Sequence, residues 1–317
     1  MKIGIDVMGG DYAPLEIVKG AIQAYKFVNE DIRLVLFGNQ EQITKICTDH
    51  NFIPNHFDIV HTTQMIEMHE HPAKAFQTKT DSSIFKGFEY LAVKKIDAFT
   101  SVGNTGAMLV GAMMMIKPVE GILRPCIATI IPRIDGKNSV LLDVGLNADS
   151  KPEMLLQYGI LGAVYAEEVY GVKKAKVALL NIGAEEGKGN ILAQAAYSLM
   201  KNSNAIDFVG NIEGSDLFRP DMADVIVTDG FTGNIVLKQT ESFYKLLRKR
   251  NINDEYFNQL NFELYGGTPI LGINQSVIIG HGVSKELAIK NMILHAIEIT
   301  KAKLPEKIAS RIISNNI

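Results

Sequence analysis

Short apolar runs recur along the chain, each bounded by glycine or small polar residues and most followed by a stretch with helical spacing. Lys2–Val7 predicts a strand with Asp6 near its end. Leu15, Val18, Ile22 and Tyr25 then fall at helical spacing behind Pro14, a residue suited to a first helical turn. Arg33–Gly38, apolar from Leu34 to Phe37, predicts the next strand. Such a βαβ opening implies parallel strands joined by a right-handed crossover. Glu41–Asp49 reads as a helix and Asp58–His61 as a strand. Glu67–Asp81 is polar and shows no strand pattern. Ser82 or Ser83 can cap a helix running from Ile84 to about Lys94. Asp97–Val102 predicts a strand, and the Met-rich, uncharged Ala107–Ile116 a buried helix, which suits core packing or an adaptable apolar channel.

The same alternation continues. Ile127–Pro132 and Ser139–Val144 read as strands, and the Asp135-Gly136 pair between them is a hairpin signal. Lys151–Val169, Ile191–Met200 and Lys285–Leu304 read as helices; Lys176–Leu180, Asp207–Val209, Ala223–Thr228 and Val277–Ile279 read as strands. Asp229–Asn234 reads as a glycine-rich loop with a helix from Ile235, and Tyr265–Pro269 as a turn. Strands alternating with helices predict an α/β fold around a mostly parallel sheet. No repeat, low-complexity tract or linker composition stands out. The expectation is one domain over residues 1–317, with a hairpin-containing subdomain around 118–145 and a short amphipathic segment around 240–264, where Phe243–Arg250 is basic and amphipathic.

Asn181–Asn190 carries the most chemistry. It joins an apolar strand to a helix and holds three glycines, two carboxylates and Lys188. Glycines let a backbone approach a ligand closely, and unpaired amides at a helix start favour an anion. The stretch is not a P-loop: Ile182 stands where the first glycine belongs and Gly189 replaces the hydroxyl residue. Nor is it a dinucleotide fingerprint, since Leu192 occupies the third glycine position. An oxyanion site is the functional reading; a tight turn with one solvated lysine is the plain alternative. Gly103-Asn104-Thr105-Gly106 and Thr232-Gly233-Asn234 also stand between a strand and a helix. In a parallel sheet, such ends gather at the carboxyl edge, which would carry Asp6, Asn104, Lys188 and Asn234.

Composition narrows the classes. The chain has 317 residues, is 47% hydrophobic, and carries a net charge of −3 with no tryptophan; a nucleic-acid partner is not expected, because its footprint is normally a basic stripe. The two cysteines, Cys47 and Cys126, lack metal or redox spacing. The His69-Glu70-His71 pair is no metal site without further ligands. The apolar Ala107–Ile116 run is too short to span a bilayer, and the expectation is a cytoplasmic protein. No serine stands in a Gly-x-Ser-x-Gly elbow. The inventory suits a reaction whose nucleophile is itself an anionic substrate.

These residues carry a family resemblance. Asp6–Pro14, Lys79–Ser83, Gly103–Ala107, Leu141–Gly145, Leu179–Asn190, Phe208–Gly214, Thr228–Lys238, Tyr265–Gly267 and His281-Gly282 resemble, in order, the signature blocks of the bacterial phosphate acyltransferases of phospholipid synthesis (the PlsX family). The resemblance implies a three-layer α/β/α sandwich, similar to isopropylmalate dehydrogenase and phosphotransacetylase, that forms homodimers. It implies transfer of a long-chain acyl group from acyl carrier protein to orthophosphate, giving acyl phosphate for a membrane glycerol-3-phosphate acyltransferase. It implies no cofactor and no metal, and peripheral contact with the inner face of the cell membrane. On this resemblance Lys188 and Asn234 are catalytic. Gly103, Asn104, Thr105, Gly106, Gly187, Gly189, Thr232 and Gly233 bind phosphate or substrate. Asp6, Asp143, Asp229 and His281 support them, the carboxylates as loop anchors.

There are departures. Val102 and Leu146 replace small residues usual in the family, and Cys126 stands where alanine is usual. The stretch between Thr240 and Tyr265 is short, which weakens the membrane-contact expectation. Other readings are a phosphotransacetylase-like enzyme that uses acyl-CoA, a dehydrogenase on a related fold, or a non-catalytic scaffold that binds the carrier protein. No nicotinamide site or metal-carboxylate cluster favours the dehydrogenase.

Overall fold

A computed structural model of the chain describes residues 1–315. They divide into two compact units. One comprises Met1–Lys117, Phe262–Pro269 and Ile273–Lys301; the other comprises Pro118–Asn261, Ile270–Gly272 and the chain from Ala302 on.

The first unit opens with β1 (Lys2–Asp6), α1 (Leu15–Tyr25), β2 (Arg33–Gly38), α2 (Gln40–Asp49) and β3 (Asp58–His61). It continues with α3 (Pro72–Thr78), α4 (Ser83–Ala92), β4 (Ala98–Ser101) and α5 (Thr105–Gly111), which Ala112–Ile116 extends in wider π winding. The strands run parallel in the order β3-β2-β1-β4, with Ile3 opposite both Leu34 and Ala98. Leu34–Gly38 is buried throughout, which is why β2 reads as a continuous apolar run rather than an alternating one. Asn39, Ser82 and Asn104 cap α2, α4 and α5 through their side-chain oxygens. The polar stretch Glu67–Asp81 contains α3. Its signals are Pro72 in the first turn and a buried Ala75-Phe76 pair, too few apolar positions to show a period.

The second unit holds β5 (Cys126–Pro132), β6 (Asn138–Leu142), α6 (Pro152–Tyr170), β7 (Lys176–Leu180), α7 (Ile191–Lys201) and β8 (Asp207–Ile212). β9 (Val225–Val227), α8 (Gly230–Lys249) and α9 (Glu255–Asn258) follow. β5 and β6 pair antiparallel, from Ala128 opposite Leu142 to Pro132 opposite Asn138. From β6 the order β6-β9-β7-β8 is parallel. α6 buries Tyr158 and Tyr165 and ends at Gly171, whose φ of 71° is the left-handed cap that glycine adopts freely. β8 carries a bulge: Phe208 faces Val177, and Gly210, not Val209, faces Ala178. The strand therefore runs through Gly210 and Asn211, which the sequence pattern assigns to a loop.

β10 (Thr268–Leu271) is divided, its first two residues belonging to the first unit and its last two to the second. Thr268 and Pro269 pair antiparallel with β11 (Ser276–Ile279) in the first, and Ile270 and Leu271 pair antiparallel with β5 in the second. Thr268 and Pro269, read as the end of a turn, are thus strand. β11 lies parallel to β4. α10 (Glu286–Lys301) packs on α1 in the first unit, where a Cβ on Gly20 would clash with Ile289. That close approach selects small residues. The buried face of α1 is Ile17, Val18, Gly20, Ala21 and Ala24, and Leu15 is exposed. α11 (Leu304–Ser314), which the sequence reading did not resolve, docks on α6 in the second unit, with Arg311 paired to Glu167 at 2.7 Å.

Candidate active site

In the first unit, β1, β4 and β11 run parallel, so their carboxyl ends come together. Asp6 is buried there. It accepts a hydrogen bond from the Ser101 hydroxyl at 2.6 Å and one from the Met8 amide at 3.0 Å. The same hydroxyl oxygen accepts the Gly103 amide at 2.9 Å. A Cβ on Gly9 would stand 2.6 Å from the Gly103 Cα, so the two loops meet backbone to backbone. Burial pushes the Asp6 carboxyl above its ordinary range, against the pull of Ser101, Ser83, Met8 and Gly9.

Asn104 is also enclosed. Its Oδ1 accepts the Ala107 amide, and its Nδ2 donates to the carbonyls of Glu67, Met68 and Glu70 at 3.0–3.3 Å. Lys79 tightens the same loop through Glu70 at 2.6 Å and the Met65 carbonyl at 2.8 Å. The expectation that the Asn104 carboxamide binds substrate meets a side chain whose hydrogen-bonding groups are engaged. With the Gly103 amide also engaged, the donors left in Gly103–Gly106 include the Thr105 hydroxyl, which is exposed, and the amides of Thr105 and Gly106. The His281 ring lies against Phe262, tilted by 59° with ring centroids 4.6 Å apart, and the Gly282 carbonyl accepts the Asp11 amide at 2.8 Å.

In the second unit, Asn181–Asn190 leaves the carboxyl end of β7 and borders a cavity of about 280 Å³. Asn181, Gly189, Asn190, Thr228, Asp229 and Thr232 form its polar wall, and Leu155, Leu179, Leu180 and Leu192 its apolar one. Lys188 is exposed. Among the described residues its ammonium forms no ion pair, whereas neighbouring Glu186 is held by Lys201 at 2.7 Å. The amides of Gly187, Gly189 and Asn190 also donate to no described residue. The loop thus offers a free cation and free N–H groups beside a partly apolar hollow.

Asp229 does not stand in a loop. It caps α8, its carboxylate accepting the Thr232 amide and hydroxyl, both at 2.8 Å, and its carbonyl accepting the Gly233 amide at 2.9 Å. The helix therefore begins at Gly230, five residues before Ile235. The amides of Thr232 and Gly233 are engaged within it, so they do not form the free anion cradle expected of them; Thr232 still lines the cavity. The two glycines are there for contact. A Cβ on Gly230 would run into the Asn147 carbonyl, and one on Gly233 into the Asp143 carbonyl oxygen. Asn234 lies in the second turn of α8, donating from Nδ2 to the Val144 carbonyl at 3.2 Å and lying over Gly145.

Asp143 is the anchor beneath. Its carboxylate accepts the amides of Ile127, Gly145, Leu146 and Asn147 and the Asn147 carboxamide, at 2.7–3.3 Å. Burial nevertheless pushes it above the ordinary carboxylate range. Cys126 is buried close by, and burial raises its thiol well above its usual value, which leaves it inert as a nucleophile.

The structure thus places Lys188, Gly187, Gly189, Asp229, Thr232, Gly233, Asn234 and Asp143 in the second unit. Asp6, Gly103–Gly106 and His281 fall in the first. Ser101 and Gln194 are not marked by the sequence, and Asn181 and Asn211 lie inside blocks it marks but receive no role of their own there. Isolated polar residues at strand ends or on a helix surface carry no pattern, and only their hydrogen bonds reveal them. Among the described residues, no group of three or more His, Cys, Asp or Glu side chains is placed to hold a metal. No described helix is long and apolar enough to cross a membrane. A second cavity of about 510 Å³ is almost wholly apolar, lined by Ile134 and Phe218 and by Phe243, Tyr256, Phe257 and Leu260 of the 240–264 region.

The chain is similar to known proteins along nearly its whole length. It is 44% identical over 327 aligned positions to a phosphate acyltransferase of Dictyoglomus turgidum, covering 97% of this chain and 96% of that protein. A phosphate acyltransferase of Halothermothrix orenii is 42% identical, with 92% and 93% covered. Among solved structures, a phosphotransacetylase from Streptococcus pyogenes superposes with a TM-score of 0.63 at 16% identity, covering 96% of this chain and 94% of that one. A branched-chain phosphotransacylase from Enterococcus faecalis gives 0.61 at 14% identity, covering 95% and 99%. These superpositions establish the α/β fold. The family model described as "Fatty acid synthesis protein" matches residues 1–307, and with the curated relatives it makes this chain a member of the phosphate acyltransferase family.

Proposed function

We propose that this enzyme transfers a long-chain acyl group from acyl-(acyl carrier protein) to orthophosphate, yielding acyl phosphate and free carrier protein. The observation that carries the reading is the Asn181–Asn190 loop: Gly189 and Asn190 line a part-apolar cavity with amides that donate to no described residue, and in the same loop the Gly187 amide and the Lys188 ammonium also lack a partner among the described residues. Family membership supports acyl transfer involving phosphate; the carrier-protein donor is our extension.

An oxygen of orthophosphate attacks the thioester carbonyl carbon. The new C–O bond forms, the tetrahedral intermediate collapses, and the C–S bond breaks with its electron pair leaving on sulfur. A thiol of pKa about 8.5 leaves with little acid assistance. Lys188 and the loop amides bind the phosphate and offset the developing oxyanion charge. Asn234 keeps one carboxamide hydrogen free after bonding Val144 and orients phosphate or the oxyanion. Asp143, Asp229 and Asp6 hold the loops and transfer no proton. Thr105 and Gly106 contribute anion contacts through backbone amides, and His281 remains a candidate proton carrier. The reading extends to a homodimer whose acyl phosphate product feeds a membrane glycerol-3-phosphate acyltransferase.

The test is acyl phosphate formation from palmitoyl-(acyl carrier protein) and orthophosphate, trapped as the hydroxamate, with palmitoyl-CoA in parallel. Phosphate-dependent product from the carrier-protein donor is expected. Product from CoA alone would overturn the donor assignment, and no product from either would favour a scaffold. Lys188→Ala should lower turnover by about 10²–10³-fold, the usual effect of removing one oxyanion donor, with folding unchanged because the side chain is exposed. Near-normal turnover in that variant would remove Lys188 from the mechanism.

A further inference from the structure

The backbone of the Asn181–Asn190 loop is held by side chains that the reaction itself does not use. Gln194, in the first turn of α7, donates from Nε2 to the carbonyls of Gly187 and Gly189, both at 3.0 Å. Asn181 donates from Nδ2 to the Lys188 carbonyl at 3.2 Å, and its Oδ1 accepts the Ile182 amide at 2.8 Å. Asn211, on β8, donates from Nδ2 to the Glu185 carbonyl at 2.9 Å. Three carboxamides thus engage four carbonyls within five residues.

We propose that Gln194, Asn181 and Asn211 are positioning residues that set this loop for an anion. The inference rests on the phosphate-binding reading of the loop. A trans peptide points each carbonyl opposite to the N–H that follows it. Holding the Glu185, Lys188 and Gly189 carbonyls on the carboxamides therefore directs the Glu186, Gly189 and Asn190 amides the other way. Gly189 and Asn190 line the cavity, and their amides are free. The same clamps remove carbonyl oxygens, which would repel an anion, from the face the amides occupy. Gly189 makes the turn possible. Its φ is 93°, and a Cβ there would overlap Asn181.

The bulge in β8 sets the third clamp. The extra residue at Val209, with Gly210 at φ 100°, fixes the register that brings Asn211 opposite Leu179, the residue before the end of β7. Bulges commonly re-aim a side chain in this way. Asn211 is 7% exposed, and its Oδ1 has no partner among the described residues, while Nδ2 is satisfied by Glu185. A buried carboxamide held with one group unsatisfied indicates that its orientation serves the loop.

The experiment measures orthophosphate binding by calorimetry, and kcat and KM for phosphate by hydroxamate trapping, in the parent, Gln194→Met and Asn211→Asp. Gln194 is exposed, so the methionine variant keeps its fold; Asn211→Asp removes the buried donor. Losing a hydrogen bond worth about 1 kcal/mol corresponds to about fivefold. Weaker phosphate binding and a higher phosphate KM by about five- to tenfold are expected for Gln194→Met, with kcat changed less and the acyl-donor KM unchanged. Gln194→Met combined with Lys188→Ala should cost less than the sum of the two, because both act through one loop. Unchanged phosphate affinity in folded Gln194→Met, or full additivity with Lys188→Ala, would overturn the proposal. So would a parent that binds no orthophosphate. Phosphate binding without turnover from either acyl donor would instead count against the reaction assigned above, leaving the clamp intact.

Discussion

Gly233→Ala sets two opposite expectations against each other. Gly233 lies inside α8, and alanine in a helix interior is ordinarily favoured over glycine by about 1 kcal/mol. Here the new methyl would collide with the Asp143 carbonyl oxygen and stand 3.0 Å from both the Asp143 carbonyl carbon and the Thr228 Cγ2. Two of these three atoms are backbone, so no rotamer relieves the clash. The first turn of α8 must move on the order of 1 Å to restore an ordinary contact. Overpacking of this kind costs about 1–3 kcal/mol. The shift also weakens the Gly230 amide bond to the Asn147 carbonyl and the Asn234 bond to the Val144 carbonyl, about 1 kcal/mol each. After the helix-propensity gain, the net loss is about 2–4 kcal/mol, or roughly 3–6 °C in melting temperature for a chain of 317 residues.

The assay is thermal unfolding of Gly233→Ala beside Gly214→Ala, whose Cβ would meet nothing within 4 Å. The second variant should melt close to the parent. A displacement of this size at Asn234 should also lower turnover by about 10²-fold. If Gly233→Ala melts at or above the parent temperature, the close packing of α8 on the Asp143 loop is refuted.

Two further outcomes concern the first unit. Ser101→Ala removes a buried donor to Asp6 and the acceptor for the Gly103 amide, and should destabilise by about 2–3 kcal/mol. Burial already raises Asp6 above its ordinary 3.8, and losing the hydroxyl raises it further. A raised carboxyl pKa lowers stability as pH rises from the unfolded to the folded value. The deficit of Ser101→Ala should therefore be constant near pH 3.8 and widen only once pH passes the parent's raised Asp6 value, and a deficit independent of pH across that range in urea unfolding would contradict this. The opposite sign holds for Glu70 and Asp81, which Lys79 and Thr63 keep below their ordinary 4.5 and 3.8. Their contribution should be fully present above pH 4.5 and fade as pH falls through the lowered values. Thr63→Val should flatten the part due to Asp81 in acid titrations followed by circular dichroism.

The α/β alternation, the parallel opening and the β5–β6 hairpin were legible in the sequence, because strands buried on both faces make dense apolar runs and Asp-Gly marks a tight turn. The Asn181–Asn190 loop was also legible, since glycine, lysine and carboxylates between a strand and a helix leave a local signature. The information readable along the chain is therefore local: element type, loop chemistry and, through its ordered motifs, the family. Tertiary structure decided the rest. Gly230 and Gly233 looked like loop residues, but close backbone contact with the Asp143–Asn147 segment requires glycine inside a helix. Asn104 looked like a ligand, but three carbonyls of a distant loop occupy its amide. The two units lack a linker signature because one crossing falls inside β10, between Pro269 and Ile270. Asn211 and Gln194 gained their roles from hydrogen bonds to a loop 26 and 5–7 residues away in sequence. Apolar periodicity records burial, whereas the partner of a hydrogen-bonding side chain is fixed only when the chain has folded.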